Sequence, residues 1–292
     1  MARDRPIIEV RYSPRVPAET MLAHLLTNLA GRHAELRPHT PRREPLVLVA
    51  GGPSLLETLE DVAAASVAGA KVLAVNEVPQ LLMEYGIRPW AAVHVGPDAL
   101  TLSAMGTPIE GLRYYLASIC PPEAFERLAH HNAVLWHPQV DGLEAKMRAA
   151  GADPAAGFIG GGHTVALRCL ELAATLGFRR ILFHGVDSSF KERFHAYASV
   201  ADEIEIARYR VECAGREFTS TAELVGQALT FPALKEKLAR RSITIEIMGD
   251  GLLPHLARSA AETGTIPPAR LIGGNAEIET RRGCAIIDAE MF

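Results

Sequence analysis

Leu46-Val47-Leu48-Val49-Ala50-Gly51-Gly52-Pro53-Ser54-Leu55 is the stretch that decides the fold of this chain. Its apolar run is too short for a core helix and reads as a buried strand, which breaks at a Gly-Gly-Pro-Ser turn. Helical spacing of Leu, Val and Ala follows over 55–67. Working outward, short apolar runs recur at 72–75, 91–95, 114–117, 134–136, 181–183 and 243–247. Between them, 79–85, 122–131, 143–150 and 165–176 carry Leu, Ala and Met at i, i+3 and i+4, as crossover helices do. This alternation predicts an α/β domain, doubly wound around a mainly parallel sheet.

Composition agrees. With 292 residues, 48% hydrophobic and 22% charged, the chain can bury a full core, and disorder is excluded. The 24 Gly and 19 Pro punctuate it too often for a coiled coil. Lys and Arg number 30 against 34 Asp and Glu, a net charge of -4, so no chain-wide footprint for nucleic acid exists. Every apolar stretch is interrupted before the roughly 18 to 20 residues a membrane span requires. The amino terminus lacks the apolar core of a leader peptide, which makes a cytoplasmic location the expectation. Cys120, Cys169, Cys213 and Cys284 stand singly, signalling neither a zinc site nor a disulfide framework.

Three parts are expected. Residues 1–45 read as an N-terminal arm or lid with a Pro-rich linker at 37–45, residues 46–266 as the main domain, and residues 267–292 as an irregular tail. After Asp187 the rhythm breaks into a polar segment and a hairpin near 209–218, which predicts an insertion over the active face; a helix over 221–240 follows.

Two glycine turns carry the first chemical signal. At Gly51, Gly52, Pro53 and Ser54, glycines permit close backbone approach and a helix start offers free N–H groups, an arrangement suited to phosphate. The same residues also suit a tight strand-to-helix turn with Ser54 merely stabilising the helix. Full Walker and dinucleotide patterns are absent. The second turn, Gly160-Gly161-Gly162-His163-Thr164, precedes an apolar helix, and His163 or Thr164 could hydrogen-bond an anion there. Both turns could converge on one nucleotide cleft at the strand ends.

At Phe183-His184-Gly185-Val186-Asp187 a strand ends on a carboxylate that can orient a sugar hydroxyl, hold a metal or take a proton, or simply cap the next turn. His184 is expected to be satisfied and partly buried. His195, in the polar segment, is the candidate general base, although a lone loop histidine is more often solvated. His94 and Asn76 qualify by lying at strand ends.

The ordered blocks Ala50-Gly51-Gly52-Pro53-Ser54-Leu55, Leu81 through Pro89, Gly161 through Val165, Gly185-Val186-Asp187 and His195-Ala196 resemble a known domain. It is shared by bacterial motility-associated-factor flagellin glycosyltransferases and archaeal 6-hydroxymethylpterin diphosphokinase-like proteins, and the resemblance covers roughly residues 46–200. It implies a Rossmann-like fold similar to sialyltransferases that use a CMP-activated nonulosonic acid without a metal cofactor. By that likeness Gly51, Gly52, Pro53 and Ser54 meet the nucleotide phosphate and Asn76 lies beside the nucleotide. Gly161, Gly162 and Thr164 face the donor sugar or its leaving phosphate, and His195 matches the histidine of the His-Ala block. The pattern is broken at Trp90 and Gly96-Pro97-Asp98, where acidic residues are usual and Asp98 is the nearest replacement, and at His163, where a short hydroxyl residue is usual.

The expected function is transfer of a sugar from a nucleotide donor to a protein or glycan hydroxyl, with Asp187 and His195 at the chemistry and His94 and Asp98 near the substrate. An ATP-dependent pterin-type diphosphokinase is the alternative and alone would call for Mg²⁺. A nucleotide-binding or partner-binding module without activity is the third reading.

Overall fold

The computed structural model describes residues 7–140, 142–151, 157–193, 195–199, 206–275, 279–281 and 284–291. The first six residues, read above for a leader, lie outside them.

Among the described residues a nine-stranded sheet forms the centre. Strands β3 (Leu46–Val49), β4 (Lys71–Val75), β5 (Ala91–His94), β6 (Arg113–Ala117) and β7 (Asn132–Pro138) follow one another outward, with β2 (Ala34–Glu35) at that edge and the short β8 (Phe158–Ile159) on β7. On the other side of β3 lie β9 (Arg180–His184) and β12 (Thr244–Ile247). Every pairing in this sheet is parallel. All four residues of β3 are buried, as a strand covered by helices on both faces must be. The fold is thus α/β, Rossmann-like and doubly wound. The crossovers are α2 (Leu59–Val67), α3 (Val78–Glu84), α4 (Leu100–Met105), α5 (Pro122–Arg127), α6 (Glu144–Ala149) and α7 (Val165–Thr175).

The ends of the chain are not loose appendages. Strand β1 (Ile7–Pro14) pairs in parallel with β15 (Cys284–Met291), Ile8 opposite Ala285 and Tyr12 opposite Ala289. Strands β13 (Ala269–Gly274), β10 (Tyr209–Cys213) and β11 (Arg216–Ser220) extend this second sheet on one side and β14 (Glu279–Arg281) on the other. The hairpin at 209–218 is therefore present, but the tail is stranded rather than irregular. Helix α8 (Ala222–Ala239) packs on β1 and β15 and also on α7 and β12, tying the two sheets together.

The N-terminal helix is no lid. Helix α1 (Ala18–Ala30) packs on α5, and the buried Asn28 amide donates to the carbonyls of Ser118 and Cys120 at 3.0 and 2.8 Å. The Pro-rich segment is anchored as well: the His39 and Arg42 amides donate to the Thr175 and Gly177 carbonyls, each at 2.8 Å. Buried backbone groups require such partners.

Candidate functional site

The winding reverses between β3 and β9, since the chain leaves β3 towards β7 and returns on its other side. Open α/β sheets bind ligands at such switch points, beyond the carboxyl ends of the strands. Here Ala50, Gly51, Gly52 and Pro53 after β3, Asn76 and Glu77 after β4, Gly96 and Asp98 after β5, and Gly185, Val186 and Asp187 after β9 line a cavity of about 670 Å³. That volume suits a small-molecule ligand. The far wall comes from the first turns of α7 and α8 and from Arg15, Asp288 and Glu290 of the second sheet.

The glycine turn is built first for interlocking. The Gly52 amide donates to the Gly185 carbonyl at 2.8 Å, and a Cβ on Gly52 would overlap Asp187 Oδ2. Gly185 has φ +66°, and a Cβ there would overlap the Ala50 carbonyl oxygen. A Cβ on Gly51 would meet the Tyr197 ring, its hydroxyl at 2.5 Å. Ser54 is fully buried behind the cavity wall, where its amide donates to Asp187 Oδ2 at 3.0 Å. It opens a four-residue 3-10 turn (Leu55–Thr58) ahead of α2 and makes no side-chain cap. The expected helix start at Ser54 is therefore a 3-10 turn that leads into α2 at Leu59, not an α-helical N-terminus.

The second turn divides. Gly161 and Gly162 pack against Leu167 of α7, and His163 stacks on Tyr12 at 3.8 Å between ring centroids. None of the three lines the cavity. Thr164 does, together with Val165 and Ala166. Its hydroxyl oxygen accepts from the Leu167 amide at 3.4 Å as the N-cap of α7 and donates to Gln227 Oε1 at 2.5 Å. Helix α7 has no acidic residue in its first turn. The positive end of a helix dipole thus faces the cavity here.

Asp187 is 2% exposed, and burial raises its carboxyl above its usual value, against the pull of Ser54, Lys191 and the Asp250 backbone amide. Its loop is held by Gln227, whose Nε2 donates to Ser188 Oγ at 2.8 Å; Ser188 has φ +54°. Spacing gave no sign of Gln227, which joins α7, α8 and the Asp187 loop. Gln227→Ala removes the acceptor of the buried Thr164 hydroxyl and the donor to the buried Ser188 hydroxyl. The expected loss is about 2–4 kcal/mol, read from urea denaturation.

Of the histidines, His195 lines the cavity, its ring stacked on Tyr197 at 5.5 Å. The neighbouring Ala196 amide donates to the Gly51 carbonyl at 3.0 Å, and Ser199 Oγ donates to Glu77 at 2.5 Å. The polar segment thus straps across the cleft. Asn76 lines the cavity with φ +52°, a conformation uncommon for a non-glycine residue. His94 is buried off the cavity wall with both ring nitrogens unpartnered among the described residues, and burial lowers it to about 4. It is the last residue of β5, a strand buried along its whole length, and the lining begins one residue later at Val95 and Gly96. His184 is also fully buried, not partly, and its Nδ1 lacks a partner among the described residues.

Glu223, in the first turn of α8, is a wall residue that spacing did not mark. Burial pushes its carboxyl from 4.5 up to about 7; Arg15 opposes the shift and Glu290 adds to it. A raised folded value means stability is fully present below about pH 4.5 and is lost as pH rises through about 7. The melting temperature should fall over that window, and Glu223→Gln should flatten the fall, worth on the order of 2 kcal/mol.

Among the described residues no group of three His, Cys, Asp or Glu side chains is placed to hold a metal ion, and no helix is long and apolar enough to cross a membrane. A solved structure described as the MAf glycosyltransferase from Magnetospirillum magneticum AMB-1 shares the fold, with TM-score 0.59 and 15% identity over 86% of this chain. The chain spans 42% of that protein's chain. No curated protein matches the sequence. The family described as 6-hydroxymethylpterin diphosphokinase MptE-like matches residues 19–193, more than half of the chain, and it takes in the glycine turn, both β3 and β9, and Asp187. The chain belongs to this MptE-like family.

Proposed function

We propose that the chain is a glycosyltransferase-like enzyme that binds a nucleotide-activated sugar, CMP-linked by family resemblance, and passes the sugar to a protein or glycan hydroxyl. The observation that carries this reading is the cavity at the β3–β9 switch point, whose lining includes the α7 N-terminus, Asn76 and His195. In this reading the leaving phosphate lies at the first-turn amides of α7, where the helix dipole favours an anion. Asn76 and Tyr197 flank the nucleoside. His195 takes the proton of the acceptor hydroxyl as its oxygen bonds to the anomeric carbon, and the glycosidic bond to phosphate breaks with its electron pair leaving on the nucleotide. Asp187 holds the glycine turn through the Ser54 amide.

The glycosyltransferase that shares this fold supports sugar transfer. The family's own description favours a second reading, a diphosphokinase acting with Mg-ATP, in which about one or two wall carboxylates and the substrate phosphates would hold the metal. Calorimetric titration separates the readings. CMP binding retained in chelator is the expected result, and heat only with Mg-ATP would move the assignment to the diphosphokinase.

A further inference from the structure

The described cavity wall carries the carboxylates of Glu77, Asp98, Asp187, Glu223, Asp288 and Glu290, but Arg15 is the sole Lys or Arg upon it. A phosphate entering such a field is repelled unless a cation meets it. The α7 dipole supplies part of that charge, whereas the first turn of α8 carries Glu223.

Arg15 sits where it can act. It directly follows β1, and the parallel pairing of β1 with β15 puts Glu290 beside it. Its Nε donates to Glu290 Oε2 at 3.2 Å on the second sheet, and its Nη1 reaches Asp98 Oδ2 at 3.5 Å on the loop after β5. The guanidinium therefore spans the cavity between the two sheets. Both contacts are single-pronged and neither uses Nη2, although a guanidinium offers five N–H donors in a planar fork. Its side chain is 38% exposed, so these pairs are screened by water and easily exchanged. A phosphate or carboxylate would take two parallel charge-assisted bonds from the same fork.

We propose that Arg15 is the anion receptor of the cavity, and that Asp98 and Glu290 hold it in place until the phosphate or carboxylate group of the ligand arrives. This deepens the nucleotide-sugar reading and rests on it for the ligand, but its anion chemistry is tested separately. Arg15 and Glu290 both lie outside residues 19–193, so the family match does not assign this role.

The test titrates CMP, cytidine and inorganic pyrophosphate in chelator into the full chain. Arg15→Gln is expected to weaken CMP and pyrophosphate at least tenfold and leave cytidine unchanged, with Arg15→Lys in between because charge remains but the fork is lost. The double variant Asp98→Asn, Glu290→Gln should tighten both anions several-fold, and that gain should vanish when Arg15→Gln is added. Equal anion affinity in wild type and Arg15→Gln overturns the proposal while leaving the nucleotide reading intact. A gain that persists without Arg15 also overturns it, since plain repulsion then explains the carboxylates. Pyrophosphate binding that depends on Arg15, with no CMP binding, sinks the nucleotide reading and keeps the receptor. A wild-type chain that binds neither overturns both.

Discussion

Gly185→Ala is expected to cost about 3–5 kcal/mol, a large share of the roughly 5–15 kcal/mol by which a domain is stable. Two effects add. The residue sits at φ +66°, which a side chain rarely tolerates, and its Cβ would overlap the Ala50 carbonyl oxygen. The obstacle is backbone on the neighbouring strand, which cannot swing aside as a side chain would. Gly264→Ala isolates the first effect, because Gly264 has φ +71° but open space around its Cβ position. Its expected cost is about 1 kcal/mol. Urea denaturation of both variants checks the difference. Costs that match would mean that the β3–β9 contact gives way and that the switch point is softer than its packing indicates.

His195→Ala is expected to lower the rate of sugar transfer by about 10²–10⁴-fold, the usual contribution of a positioned base. Donor binding should remain, since the phosphate in this account meets the α7 amides and Arg15 rather than the imidazole. His195 lines the cavity beside Tyr197, and the next amide is bonded to Gly51. Single-turnover kinetics at saturating donor read the chemical step alone. An unchanged rate would remove His195 from the mechanism and direct attention to Asp187 or Glu223, the wall carboxylates whose protonation burial favours.

Much of the fold is legible in the sequence because parallel-sheet strands must be apolar on both faces. The run at 46–49 and its counterparts at 72–75 and 181–183 each become central strands. Local spacing also marks Gly51, Gly52 and Asp187, whose neighbours in space are strand ends that a doubly wound topology brings together. It fails where the partner is remote. Nothing near Arg15 announces Glu290, which is 275 residues away and arrives only through the pairing of the two chain ends. The same distance hides the second sheet, so its segments read as an arm and a tail.

Composition misleads in a different way at the polar residues of the two turns. Ser54 and His163 carry groups that can bind an anion, but one is buried against Asp187 and the other is stacked on Tyr12. Tyr12 can lie there because Gly226 of α8 has no side chain; a Cβ at Gly226 would overlap the Tyr12 hydroxyl. Residue type alone does not tell a ligand contact from such a packing contact. The cavity, the face each strand end presents and the length of the helix that follows do.

The most direct test of the central claim is a crystal structure of the chain grown with CMP in the presence of chelator. The account predicts the nucleotide in the cavity between Gly51 and Thr164, with its phosphate within hydrogen-bond distance of the Val165 and Ala166 amides. Nucleotide bound elsewhere on the molecule, or an empty cavity at saturating CMP, would contradict it.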